Sequence, residues 1–221
     1  MNSIYLDNNQ AEVVGTVDSE LSFSHEVYGE TFWNFKISVP RLSESFDVLL
    51  ITVSERILAA TPIEIGNKIR VLGQFRSYNN LSQEGNRLIL TIFAKNIEQI
   101  CDDSEIATPN SICLNGYICK PPIYRTTPFG REISDILLAV NRSYNKSDYI
   151  PCITWGRNAK FAAMLNVGDN IKIWGRIQSR EYQKKIDDDN ILTKVAYEVS
   201  VSKLECAVET SDTSVTDQEL A

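Results

Sequence analysis

The stretch VGDNIKIWGRIQSREY, residues 167–182, alternates along an extended chain. It places Ile173, Gly175 and Ile177 on one side and Trp174, Arg176, Gln178, Arg180 and Tyr182 on the other. A period of two with an apolar inner row predicts a half-buried strand. Similar runs, short and rich in β-branched and aromatic residues, recur along the chain. FWNFKISV (32–39), DVLLITV (47–53), KIRVLGQF (68–75) and RLILTIFA (87–94) predict strands in the first half. EISDILLAV (132–140), YIPCITW (149–155), NIKIWGRI (170–177) and KVAYEVSVSKL (194–204) do so in the second. One short helical stretch falls in each half, ERILAA (55–60) and RNAKFAAML (157–165). Gly66-Asn67 and Gly168-Asp169 then turn the chain into the next strand.

The two halves repeat one another. IGNKIRVLGQFRSYNN (65–80) matches VGDNIKIWGRIQSREY, VVGTV (13–17) matches LNGYI (114–118), and FKISVPR (35–41) matches ILLAVNR (136–142). DVLLITV matches YIPCITW, and the offset stays at 101 or 102 residues throughout. A collinear repeat held over four blocks predicts two copies of one structural unit. Its order is strand, strand, strand, helix, strand, strand. That is the order of a five-stranded Greek-key barrel, the OB-fold, with one short helix between strands 3 and 4. Gly15 and Gly116 fall mid-strand, where a small barrel must coil sharply. The expectation is therefore an all-β chain of two tandem barrels, residues 1–100 and 112–205. Residues 101–111, CDDSEIATPNS, read as a polar linker, and 206–221 as a disordered acidic tail.

Composition narrows the function. The chain has 221 residues, 43% of them hydrophobic and 23% charged, with no apolar run of membrane-spanning length. Its start, MNSIYLDNNQ, lacks the regions of an export signal, which points to a cytoplasmic place of work. The five cysteines form no CxxC pair and the sole histidine is His25, so neither a disulfide framework nor a metal site is expected. The net charge of −7 is unevenly spread. Residues 1–110 hold 8 Lys+Arg against 15 Asp+Glu, residues 111–204 hold 14 against 9, and the remainder holds none against 5. An anionic partner would prefer the second half.

Catalytic signatures are missing: no phosphate-binding glycine loop, nucleophile elbow or HExxH occurs. No enzymatic role and no cofactor are expected. His25 reads as a hairpin residue before the Tyr28-Gly29-Glu30 turn, and Asp187-Asp188-Asp189 as a solvated loop. What remains is a mixture of rings and cations. Tyr144, Tyr149, Trp155, Trp174 and Tyr182 are interleaved with Arg125, Arg142, Arg176 and Arg180. Bases of a single strand stack on flat side chains while cations follow the phosphates, which is the chemistry this mixture offers.

LNGYI, YRTTPFG, LLAVNRSY, YIPCITWGRNAK and VGDNIKIWGRIQSREY, in that order, resemble the bacterial single-stranded DNA-binding proteins over about residues 112–205. The resemblance implies four base-stacking positions at Tyr144, Tyr149, Trp155 and Tyr182. It also implies a hairpin carrying Arg125, Thr127, Pro128 and Gly130. The first copy resembles the N-terminal domain of a clostridial-type variant. In its register Asp47 stands opposite Tyr149, Val53 opposite Trp155 and Asn80 opposite Tyr182, so most of the stacking platform is missing. Arg76, Tyr78 and Arg87 form a candidate minor surface there. The family's tail ends in an aromatic tip, whereas this one ends DQELA.

Together these observations lead us to expect sequence-independent binding and protection of single-stranded DNA in replication, recombination or repair. Arg125, Arg142, Arg176 and Arg180 are the expected phosphate contacts. The resemblance further implies a homodimer presenting four barrels, contacts with replication or repair proteins, and association with the nucleoid. A rival expectation is an adaptor in replication restart or recombination that binds proteins rather than DNA.

Overall fold

In the computed structural model, residues 8–41, 43–82, 85–101, 108–185 and 191–206 are described. The expected acidic tail lies outside them, apart from its first residue Cys206, as does most of the expected linker. The first copy runs β1 (Asn9–Val17), β2 (Ser22–Val27), β3 (Glu30–Pro40), β4 (Phe46–Ser54), α1 (Glu55–Ala60), β5 (Lys68–Ser82) and β6 (Gly85–Gln99). The second runs β7 (Asn110–Ile118), β8 (Ile123–Thr126), β9 (Glu132–Arg142), β10 (Lys146–Trp155), α2 (Arg157–Ala162), β11 (Asn170–Lys185) and β12 (Ile191–Cys206).

Each copy closes on itself through five strands. In the first, β3 pairs β4, β4 pairs β6 in parallel, β6 pairs β5, β5 pairs β1, and β1 returns to β3. The second copy closes the same way through β9, β10, β12, β11 and β7. One parallel pair in an otherwise antiparallel ring is the expected OB topology. Beside each barrel lies one further short strand, β2 or β8, a ribbon hydrogen-bonded to β3 or β9 alone.

Alternation builds the interior. Phe35, Ile37 and Val39 from β3, Leu49, Ile51 and Val53 from β4, and Ile69, Val71 and Phe75 from β5 are all buried. Ile136, Leu138 and Val140, Ile150 and Cys152, and Ile171, Ile173 and Ile177 repeat the pattern in the second barrel. The short helices close the barrel between their fourth and fifth strands as numbered here. Helix α2 buries Ala159 and Ala162, while Ile57 and Leu58 of α1 pack on the core from its edge.

The barrels join edge to edge. Strand β1 pairs antiparallel with β7 from Asn9↔Leu114 to Val13↔Asn110, so one sheet runs through both. Strand β7 begins at Asn110, inside the expected linker. The Asn110 side chain clamps the backbone of Ile177, donating to its carbonyl at 2.7 Å and accepting from its amide at 2.9 Å. Asn9 holds Phe75 in the same way at 2.8 Å in both directions. Among the described residues no helix is long and apolar enough to cross a bilayer.

Candidate nucleic-acid interface

The backbone pairing fixes which residues of the two copies correspond, and it corrects part of the register drawn from side-chain likeness. Asp47 lies opposite Val39 and Asp148 opposite Val140, so Asp47 is the counterpart of Asp148, and Val48 of Tyr149. Trp155 lies opposite Ile133 and Ser54 opposite Phe32, so Ser54, not Val53, takes the place of Trp155. Asn80 does correspond to Tyr182 along the long hairpins.

That correspondence reveals a reciprocal junction. The buried Asp47 carboxylate accepts from the Ser179 amide at 2.7 Å, from Arg176 at 3.3 Å and from the Arg41 guanidinium. Ser179 is on the other barrel, and its hydroxyl accepts from the Val48 amide at 3.3 Å. The mirror contacts exist: the Ser77 amide donates to buried Asp148 at 2.7 Å, and the Tyr149 amide donates to the Ser77 hydroxyl at 2.7 Å. Residue i on one barrel meets residue j on the other and the reverse, the self-complementary pattern of a two-fold interface within one chain.

The rings named from the sequence fall as follows. Tyr144 is 94% exposed, at the β9–β10 turn where it and Asn145 take φ of 62° and 53°. Tyr149 and Trp155 are 48% and 37% exposed on the outer face of β10, whose inward row is Asp148, Ile150, Cys152 and Thr154. The Trp155 indole nitrogen donates to the hydroxyl of Ser200 on β12 at 3.2 Å. Tyr182 is on β11, and its side chain lies outside the described residues, as does that of Arg87.

Each of the four arginines expected to meet phosphates is met by a carboxylate. Arg125 donates to Asp135 at 2.8 Å, a contact that raises the guanidinium's proton affinity. Arg142 stands 3.3 Å from Asp148, Arg176 bonds Asp47, and Arg180 stands 3.8 Å from Glu198. Gln178, on the same outward row, is buried and donates to Glu198 at 2.7 Å. Trp174 sits apart from this wall, its ring flanked by Lys172 at 5.1 Å and Lys203 at 4.6 Å. A guanidinium carries five N–H donors, so a carboxylate on one edge orients it and leaves donors for a phosphate. The wall of the second barrel is thus a set of rings with cations held in place, interspersed with Asp135 and Glu198.

The structure adds residues that the sequence reading missed. Phe129 is 92% exposed at the tip of the hairpin closed by Thr127 and Arg131, where Gly130 takes φ 75°. Its signal was present in TTPFG, a turn sequence with a ring in the middle. Tyr124 is also exposed and donates to Glu132 at 2.6 Å, and that bond, followed by Lys160, holds the Glu132 carboxyl below its usual range. Arg76 and Tyr78 lie together on the outer wall of the first barrel, in a cleft that Arg142 also lines. Among the described residues no group of three or more potential metal ligands is gathered.

The sequence model of the Single-strand binding protein family matches residues 109–206, the second copy. Single-stranded DNA-binding protein A of Bacillus subtilis is 35% identical over 103 residues, covering 43% of this chain and 59% of that protein. Single-stranded DNA-binding protein B of the same organism is 31% identical over 93 residues, 39% of this chain and 82% of the relative. The chain belongs to the single-strand binding protein family. It spans less than two thirds of the length of the first curated relatives it matches, such as 59% of the B. subtilis A protein and 64% of one from Listeria innocua. Crystal structures of the single-stranded DNA binding protein from Thermus aquaticus resemble this fold over nearly its whole length. A deletion mutant gives a TM-score of 0.71 over 91% of this chain and 95% of that one, at 18% identity. The wild type gives 0.67 over 90% and 93%, also at 18% identity. At that identity the likeness is one of fold.

Proposed function

We propose that this chain binds single-stranded DNA without regard to base sequence and carries out no chemical step. The observation that carries the reading is the row of outward rings, Tyr144, Tyr149 and Trp155, along one hairpin of the barrel that matches the family. Tyr149 and Trp155 are six residues apart on one strand, about 20 Å of extended chain, which leaves room for several stacked bases. Tyr182, on β11, is the fourth stacking position that the family resemblance implies, and Phe129 is exposed at the tip of the β8–β9 hairpin. Arg125, Arg142, Arg176 and Arg180 meet phosphates with the donors their carboxylates leave open. Selectivity for single strands follows because duplex bases are already stacked and their faces are covered. The role is protection of such strands in replication, recombination or repair, in the cytoplasm at the nucleoid. The assembly is a homodimer presenting four barrels, open to replication or repair partners.

Titration of the full chain with oligo-dT, followed by tryptophan emission, tests the reading. Binding quenches Trp155, and Tyr149→Ala and Trp155→Ala each weaken affinity roughly tenfold, one lost stacking contact apiece. Unquenched emission together with no measurable affinity would overturn it in favour of the protein-binding adaptor.

A further inference from the structure

The wall of the second barrel carries two carboxylates among its cations. Asp135 on β9 and Glu198 on β12 lie one strand to either side of β10, level with the stretch between Tyr149 and Trp155. Asp135 is opposite Ile153, and Val199, next to Glu198, is opposite Cys152. We propose that Asp135 and Glu198 are built-in counterions of this wall, holding Arg125 and Arg180 partly neutralised so that stacking, more than charge, sets the grip on a single strand. The inference rests on the reading above and names the residues that limit the strength of that binding.

Geometry makes the first argument. Arg125 donates to both oxygens of Asp135, at 2.8 Å through Nε and at 3.4 Å through Nη2. Glu198 is 9% exposed, and one of its oxygens accepts from Gln178 at 2.7 Å while standing 3.8 Å from Arg180. Its charge reaches Arg125 as well: the Asp135 hydrogen bond is the largest cause raising that guanidinium's proton affinity, and Glu198 adds to it. Salt screens a sheltered carboxylate less than an open one, so its repulsion of a passing phosphate persists.

Comparison of the two copies makes the second. By strand pairing, Asn34 stands in the place of Asp135 and Thr91 in that of Glu198. His25 and Tyr78 stand in the places of Arg125 and Arg180. The first barrel closes through the same five strands with neither carboxylate. The fold does not require these two acids. Each occurs in the copy that has its arginine and is missing from the copy that lacks it.

Ion exchange makes the third. A phosphate that meets a free guanidinium sheds its condensed cation, and log affinity then falls with log salt by about 0.7 per contact on a single strand. A guanidinium already facing a carboxylate has to exchange or share that partner, and the carboxylate set free takes a cation back from solution. Net release is smaller. Binding is therefore weaker, and flatter in salt, than the number of arginines implies.

The test compares the full-length parent with Asp135→Asn, Glu198→Gln and the double variant, by affinity for a (dT) strand of about 35 nucleotides over a salt series. Each amide keeps an acceptor for its neighbour and removes only the charge. Each single variant should bind roughly threefold more tightly at low salt, with a slope steeper by up to about 0.7, and the double variant should show both effects added. Glu198→Asp, which keeps the charge, should return the parent's slope. Loss of a merely structural contact would leave the slope where it was. Variants that bind more weakly than a parent that binds, or that share its slope, overturn this inference alone. Should Glu198→Gln prove unfolded in urea titration, the more exposed Asp135→Asn decides by the same two readouts. A parent that binds no oligo-dT at any salt defeats the function itself, and this inference with it.

Discussion

At Asp47 groups from two barrels converge on one buried carboxylate: Arg41 from its own barrel, Arg176 and the Ser179 amide from the other. Asp148 occupies the mirror position with fewer partners, chiefly the Ser77 amide and an Arg142 guanidinium at 3.3 Å. Burial, the largest cause, pushes the Asp148 carboxyl above its ordinary proton affinity, against the pull of Ser77 and Arg142. The folded chain thus holds this proton at a pH where the unfolded chain has lost it. Its contribution to stability is full below the unfolded value near 3.8 and is lost as pH rises through the folded one. Asp148→Asn cannot ionise, so the stability difference between parent and variant should move in the variant's favour from pH 4 to pH 7. Urea unfolding at the two pH values checks this, and an unchanged difference would show that Asp148 is not strained. The same residue explains the slip in the sequence register. Likeness of side chains set DVLLITV against YIPCITW and so paired Asp47 with Tyr149. The ladder pairs it with Asp148, and a one-residue slip on a strand exchanges inward for outward.

The strands most readily read from sequence are those with one face against a core. Strands β3, β4, β9 and β10 carry the period-two burial that their sequences advertise. Strands β2 and β8 show only through their turns, Tyr28-Gly29 and TTPFG, because SFSHEV and IYRT have almost every residue exposed and no alternation to detect. Mid-strand glycine was a sound clue. A Cβ on Gly116 would stand 2.5 Å from the Ala139 carbonyl oxygen, where β7 coils against β9 to close the barrel. Gly116→Ala is expected to cost about 1–3 kcal/mol, as an overpacked position does, read as a lowered midpoint in denaturant. A midpoint equal to that of the parent would mean that β7 can shift away at no cost.

Charge counts gave the sign of the molecule's halves but not the state of each cation. Fourteen basic residues in 111–204 suggested open arginines, yet Arg125 and Arg180 meet Asp135 and Glu198 from the neighbouring strand, and Arg176 meets Asp47 from the other barrel. Conversely, the acidic first copy holds the half-sheltered guanidinium of Arg76 behind its negative total. The two barrels act as one body, since a continuous β1–β7 ladder and the paired Asp–Ser contacts tie them together. The most direct measurement is the affinity of the full chain for a (dT) strand of about 35 nucleotides beside that for a blunt duplex of equal length, over a series of salt concentrations. Exposed rings working with oriented cations predict binding of the single strand that is tighter by orders of magnitude and weakens steadily with salt. Equal affinity for the two, or binding of neither, would contradict the account.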